Sequence, residues 1–358
     1  MRVRVGVIGT SPWAEFVFLE TLQNHPDGSV VALSGRNSAR LAELAAKFGV
    51  EHTFTDWSDL ITSGLVDAVI VATPDELHHD IVMAAAEAGL AVMCEKPLAM
   101  NAADAREMLD AVTSRGLINN VMFTWRHQPA ARLLKRLVDQ GVLGAPIHSN
   151  FEFVMGYARN DEYQWRLDAE HGTGALGDLG VHLTDFAQWM RSPITTVQAS
   201  LHHAYDRVTA AGAAVAPIND SSIMLVSFAD GSHGTLTASL VTEVADRTLI
   251  FKAMLAGTEA TLEYELISEG PQAGARVYIS LAGEPMRLVE IPEDLQGQSA
   301  PNDLWGHLTR QSLGARQFVA SVRSGEQQGP DFADGFRAQL VIDAAFVSAR
   351  EGARISIR

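Results

Sequence analysis

The chain has a single cysteine, Cys94, in 358 residues, so no intramolecular disulfide can form and a reducing compartment is expected. It has no apolar run of about 18 residues, so no membrane span is expected. Basic residues are few: 27 Lys and Arg stand against 43 Asp and Glu, a net charge of -16, and no Lys/Arg run occurs. A nucleic-acid partner needs a concentrated basic surface, so that class is set aside. The start, "MRVRVGVIGTS", enters a strand at once without the apolar core of a secretory leader, and a cytoplasmic protein is expected. Histidines such as the His202-His203 pair lack carboxylates at metal-ligand spacing, and no metal is expected. There is also no short repeat or low-complexity segment.

What is present is the composition of a folded chain, 47% hydrophobic and 20% charged, and long enough for two domains. Its first part alternates short apolar runs ("VRVGVIG", "VVAL", "AVIVAT", "LAVMC") with segments of helical periodicity. In "KFGV", "EAGL" and "SRGL" a glycine (Gly49, Gly89, Gly116) precedes an apolar residue, the signature of a left-handed helix cap leading into a strand. This repeating βα unit predicts a doubly wound parallel sheet of the Rossmann kind over residues 1–122. From about Ile147 the pattern changes to alternating strands ("IHSNFEFV", "SSIMLVSFADG", "GTLTASL", "LIFKAML", "ATLEYEL"). Residues 123–358 therefore read as an α+β domain with a large open, mostly antiparallel sheet, late helices near 304–324 and 332–350, and a loop at 210–217.

Two stretches invite a chemical reading. In "ALGDLGVHLTDFAQWM", Leu179, Leu183, Phe186 and Met190 form one helical stripe, and Asp178, His182, Asp185 and Trp189 form a second beside it. The first strand ends in "GTSPWA", where a dinucleotide fold wants G-x-G-x-x-G for a tight turn and backbone N–H groups facing a pyrophosphate. Only Gly9 of the three glycines is kept; Ser11 and Ala14, both small, take the other places, and Ser11-Pro12 is a good helix start. Gly9, Thr10, Ser11 and Trp13 are the candidate cofactor residues of this turn. After the second strand, "LSGRNSAR" lacks the acidic residue that would bind the ribose hydroxyls of NAD. Arg36, with Asn37 beside it, can instead meet a 2'-phosphate or stack on adenine, which favours NADP and leaves NAD open.

These turns, together with "VATPDELHHD", "CEKPLAMN", the Asp178-x-x-x-His182 pattern, "GVLGAPI" and "PDFADG", resemble the Gfo/Idh/MocA family. That is the glucose-fructose oxidoreductase and inositol dehydrogenase group of nicotinamide-dependent sugar and polyol oxidoreductases. The resemblance covers nearly the whole chain. It implies that Glu95, Lys96 and Pro97 are the family's E-K-P, with Lys96 catalytic and the bond before Pro97 cis. It implies that Asp178 and His182 are its catalytic D-x-x-x-H, and that Thr73, Pro74 and His78 belong to a loop along the cofactor. It also places Arg126, Tyr157, Trp165 and Arg166 near the nicotinamide or the sugar, where aromatic faces and forked donors suit a polyhydroxylated ring.

The chemistry implied is hydride transfer between the cofactor and a secondary alcohol, with proton transfer at the oxygen. His182 suits acid/base work because histidine's unperturbed pKa lies near the working pH, Asp178 can orient it or bind a neighbouring hydroxyl, and Lys96 can stabilise an alkoxide or share the proton. Which of Lys96 and His182 is the formal base stays open. Two other functions are compatible with the same residues: an NAD-dependent glycoside-cleaving enzyme that oxidises transiently, and a non-catalytic cofactor sensor. In "SSIMLVSF" both Ile223/Leu225 and Met224/Val226/Phe228 are apolar, so one face of the sheet needs a cover. A homodimer or homotetramer built through the sheet is expected, with late helices or the 210–217 loop as the rival cover.

Overall fold

A computed structural model of the chain describes residues 2–296, 303–309 and 311–357. The chain divides into two compact units, Met1–His127 with Trp305–Phe336, and Gln128–Leu304 with Arg337–Arg358. The linear division at 122/123 misses the return of the late segment to the first unit.

The first unit is built on six strands: β1 (Val3–Ile8), β2 (Gly28–Ser34), β3 (His52–Phe54), β4 (Ala68–Val71), β5 (Ala91–Cys94) and β6 (Asn119–Val121). Their order is β3-β2-β1-β4-β5-β6, and every pair is parallel. This is the Rossmann order, with its topological switch between β1 and β4. The strands read as unbroken apolar runs because helices cover both faces; β4 and β5 are buried at every position. Gly49, Gly89 and Gly116 all have positive φ (67°, 73° and 62°), as helix ends of this type require.

The late helix Leu313–Ser324 packs into this unit, its Ala315, Phe318 and Val319 joining the core formed by Val3, Val5, Leu22 and Leu33. Gly28 is needed there, since a Cβ would lie 2.9 Å from a Val319 methyl. The next segment closes the open edge of the sheet. Val121 N–H donates to Pro330 O at 3.0 Å, and Asn119 exchanges hydrogen bonds with the Gln327 amide at 2.7 and 3.0 Å. An edge strand so covered no longer offers unpaired groups to another chain. The expected helix near 304–324 is thus two pieces, Leu304–Leu308 and Leu313–Ser324, and the last helix is Phe332–Glu351.

The second unit holds a nine-stranded sheet: β7 (Pro146–Met155), β8 (Ile194–His202), β9 (Ser221–Phe228), β10 (His233–Ser239), β11 (Leu249–Gly257), β12 (Ala260–Ile267), β13 (Gly274–Leu281), β14 (Arg287–Val289) and β15 (Ile355–Ser356). The order is β14-β13-β12-β11-β7-β10-β9-β8-β15, antiparallel except for the parallel pair β7–β10. On β9, Met224, Val226 and Phe228 are buried while Ile223 and Leu225 remain 54% and 47% exposed. Among the described residues of this unit nothing covers Ile223 and Leu225. Residues 210–217 lie in a tight hairpin closed by Thr209 N–H to Ala213 O and Val215 N–H to Arg207 O, at 2.8 and 3.0 Å. Among the described residues no helix is long and apolar enough to cross a membrane.

Candidate active site

In the first unit the candidate residues gather at the carboxyl ends of β1, β4 and β5, where open α/β sheets bind ligands. Gly9 has φ 126°, and a Cβ built on it would lie 2.2 Å from the Ala72 carbonyl oxygen. Only glycine permits the β1 turn to pass that close to the end of β4. Ser11 starts the following helix: its Oγ accepts from Ala14 N–H at 3.1 Å, and its carbonyl accepts from Glu15 N–H at 3.1 Å. A helix N-terminus facing the switch point is an anion site by construction.

Two buried side chains tie the three turns together. His78, fully buried, contacts Pro97 O through Nδ1 (2.9 Å) and Thr73 O through Nε2 (3.1 Å), joining the loop after β4 to the turn after β5. Glu95, 7% exposed, accepts from the Trp13 indole N–H at 2.6 Å and from Lys96 N–H at 3.2 Å. The bond between Lys96 and Pro97 is cis. His78, Glu95 and Trp13 therefore spend these polar atoms on protein. Asn37 does the same: its side chain accepts from Arg40 N–H and caps the helix Ser38–Phe48. Arg36 is exposed, and β2 ends without a carboxylate at Ser34, Gly35 and Arg36. The acid nearest in sequence on the first helix, Glu15, is buried and paired with Arg40 and with Lys47 (2.6 Å), which hold its carboxyl below the usual range. Arg126, expected near the substrate, sits 3.3 Å from Asp334 and over the Phe123 ring.

The fit of a dinucleotide can be judged from atoms rather than from motif. The Thr73 hydroxyl oxygen is buried with no hydrogen-bond partner, the Gly9 turn is closed down to the limit glycine allows, and Ser11 and Ala14 keep the turn small. An unsatisfied buried hydroxyl just after β4, whose end meets the Gly9 turn, fits a polar ligand at this spot.

In the second unit, Asp178 lies on a wide π-type turn, Leu176–Gly180, that runs into the helix Val181–Met190 carrying His182. Leu179, Leu183, Phe186 and Met190 are buried as the periodicity predicts, and Phe186 packs on Phe251 with centroids 4.9 Å apart. The second stripe is not a wet surface: His182 and Asp185 are 7% and 2% exposed. The His182 ring rests against Phe153 (6.1 Å), itself stacked on Phe251 (5.1 Å), so packed aromatics set its position.

Asp178 is the centre of a polar group. Tyr157 Oη donates to Asp178 Oδ2 at 2.6 Å, and Arg166 Nε lies 3.6 Å from Oδ1. The Arg166 guanidinium in turn stacks on Trp165 at 4.3 Å. Desolvation and then the charge of Asp178 raise the Tyr157 pKa far above that of an ordinary phenol, so its hydroxyl stays a donor. The residues expected to meet a sugar, Tyr157, Trp165, Arg166 and Asp178, are thus in contact with one another in sequence-distant order. Three residues outside the sequence reading lie behind this group: Arg207 donates to Ala158 O, Asn219 accepts from Ala175 and Leu176 N–H, and Asp220 pairs with Arg207. No local sequence pattern marks them, because their partners lie elsewhere in the chain.

Comparison with known proteins places the chain in one family. A profile of the oxidoreductase family with an NAD-binding Rossmann fold matches residues 3–123, and one of the GFO/IDH/MocA C-terminal domain matches 131–263. A levoglucosan dehydrogenase of Pseudarthrobacter phenanthrenivorans is 27% identical over 350 residues, covering 90% of this chain and 87% of its own. An inositol 2-dehydrogenase of Rubrobacter xylanophilus is 26% identical over 359 residues, covering 98% and 92%. Among solved structures, levoglucosan dehydrogenase in complex with NADH and L-sorbose superposes with a TM-score of 0.89 at 25% identity, covering 100% of this chain and 99% of that one. With both halves matched in order, the chain belongs to the Gfo/Idh/MocA family of oxidoreductases.

Proposed function

We propose that this protein is a nicotinamide-dependent dehydrogenase acting on a secondary alcohol of a sugar, sugar derivative or polyol. The observation that carries it is the position of Lys96 at the carboxyl end of β5, next to the strand whose end meets the Gly9 turn. The similarity to levoglucosan and inositol dehydrogenases supports the substrate class. Gly9, Thr10, Ser11, Thr73 and Pro74 hold the dinucleotide. A nicotinamide held by these residues would supply the hydride acceptor for oxidation of the alcohol carbon. Lys96 and His182 are the groups that receive and pass on the hydroxyl proton, while Tyr157, Asp178, Arg166 and Trp165 orient the hydroxyls and cover one face of the ring.

Arg36 is the reason to favour NADP: it is exposed at the end of β2, no carboxylate takes that place, and the neighbouring Asn37 is used as a helix cap. The relative's complexes contain NADH, so the cofactor choice is tested directly. Arg36→Asp lowers efficiency with NADP far more than with NAD if the arginine meets the phosphate; equal losses refute it. A second copy of the chain on the outer face of the β7–β15 sheet supplies the cover that Ile223 and Leu225 lack.

The test of the function is a panel of sugars and inositols with both cofactors, followed by Lys96→Ala and His182→Ala. Each variant keeps cofactor binding and loses about 10²- to 10⁴-fold in turnover. Near-normal turnover removes that residue from the mechanism. Glycoside cleavage without net cofactor reduction would replace the dehydrogenase reading.

A further inference from the structure

The Tyr157–Asp178 hydrogen bond joins a loop after β7 to a helical turn, and neither is rigid by its own sequence. The turn bearing Asp178 has no side-chain cap from its own flank. Its cap comes from a residue more than forty positions later. Asn219 Oδ1 accepts from Leu176 N–H at 2.8 Å, Asn219 O accepts from Ala175 N–H at 2.9 Å, and Asn219 Nδ2 donates to Thr173 O at 3.2 Å. Gly174, at φ 67°, allows this approach, since a Cβ there would lie 2.5 Å from Asn219 O.

The next residue holds the other partner. Asp220, fully buried, accepts from Ala204 N–H (2.6 Å) and Tyr205 N–H (3.1 Å), and its Oδ1 lies 2.7 Å from Arg207 Nη1. Arg207, 3% exposed, donates through Nη2 to the carbonyl of Ala158 at 2.8 Å, next to Tyr157. Asp220 O also accepts from Leu240 N–H, whose own carbonyl accepts from Ala158 N–H, both at 3.0 Å. Two adjacent residues at the head of β9 therefore fix the backbone on both sides of one hydrogen bond.

We propose that Asn219 and Asp220 are positioning residues of the active site, Asn219 setting the placement of Asp178 and Asp220, through Arg207, that of Tyr157. The proposal rests on the reading that Tyr157 and Asp178 act on the substrate. A misplacement of about 1 Å at a reacting group can cost about 100-fold, and a 2.6 Å contact between two separately held elements has little slack.

The experiment is a double-mutant cycle between Asn219→Ala and Tyr157→Phe, read as kcat and KM for the best sugar of the panel, with cofactor affinity and the thermal transition measured in parallel. Asn219→Ala is expected to lower kcat/KM about 10- to 100-fold with cofactor affinity unchanged. The double variant is expected to be no worse than the more damaged single one, because both remove the same contact. Asn219→Asp keeps an acceptor for Leu176 N–H and recovers most of the activity. Should Asn219→Ala fail to fold, Asn219→Asp takes its place in the cycle, and the expected loss is then smaller and still non-additive. Additive losses overturn the proposal by showing a merely structural role, as does full activity of Asn219→Ala beside impaired Tyr157→Phe and Asp178→Asn. Full activity of Tyr157→Phe and Asp178→Asn themselves overturns the parent reading, and the proposal with it.

Discussion

Gly9 and Gly49 both have positive φ, and replacing each by alanine separates a backbone cost from a site cost. At Gly49 the φ of 67° is left-handed helical, and a Cβ there meets nothing within 4 Å. Gly49→Ala therefore carries only the conformational penalty, about 1–2 kcal/mol. It leaves the switch point untouched. At Gly9 the φ of 126° lies where L-residues are strained by about 1–3 kcal/mol, and the Cβ would also lie 2.2 Å from Ala72 O and 2.7 Å from its carbonyl carbon. Both of those atoms are backbone, so the turn must move away from the end of β4 by more than a side-chain adjustment. The displaced turn carries the helix N-terminus proposed to meet the dinucleotide. If the movement removes two backbone hydrogen bonds to a charged group at about 1.5 kcal/mol each, affinity falls by about 100-fold. Titration of each variant with NADH and NADPH by fluorescence, alongside urea unfolding, measures both costs. The expected outcome is lower stability in both variants and lower cofactor affinity in Gly9→Ala alone. Unchanged affinity in Gly9→Ala would refute the placement of the cofactor at this turn.

The remaining expectations concern stability and assembly. Arg207→Met removes the ion-pair partner of the fully buried Asp220, so urea unfolding should show a loss of about 3–5 kcal/mol; an Arg207→Met as stable as the parent contradicts it. Glu15 has a folded pKa lowered by Lys47 and Arg40, so its contribution is complete above the ordinary carboxylate value and is lost as pH falls through the lowered one. The stability gap between the parent and Glu15→Gln should then be about 1–3 kcal/mol at pH 7 and close with acid, and a gap independent of pH would refute the pairing. Leu225→Glu on the outer sheet face should turn a dimer or tetramer into monomer in light scattering, and a parent that is monomeric at micromolar concentration removes the proposed interface.

The parts of this fold legible in the sequence are those fixed by neighbouring residues. The glycine caps at 49, 89 and 116 and the helix start at Ser11-Pro12 each need only a few positions to specify. The strand order that places the switch point does not follow from them, because repeated βα units fit more than one doubly wound order. The return of 305–336 to the first unit was not legible: the periodicity of Leu313–Ser324 says that one face is buried, but Ala315, Phe318 and Val319 would suit either sheet. Only the hydrogen bonds that β6 makes to Gln327 and to the Pro330 carbonyl decide which edge the chain closes.

At the site the same limit takes a sharper form. Motif spacing located the turns correctly but did not say which way a side chain faces. His78, Glu95 and Asn37 belong to the same turns as Thr73, Lys96 and Arg36, yet their polar atoms are bound to Pro97 O, Trp13 Nε1 and Arg40 N–H. A loop that must hold a ligand precisely needs such braces, since an unbraced turn would lose its geometry to conformational entropy. Histidine and carboxylate serve equally well as brace or as ligand group, so residue type cannot separate the two roles. What lies behind the loop separates them: a fully buried imidazole between two carbonyls acts as a brace, whereas the Thr73 hydroxyl, buried and without a protein hydrogen-bond partner, is the group our proposal gives to the ligand.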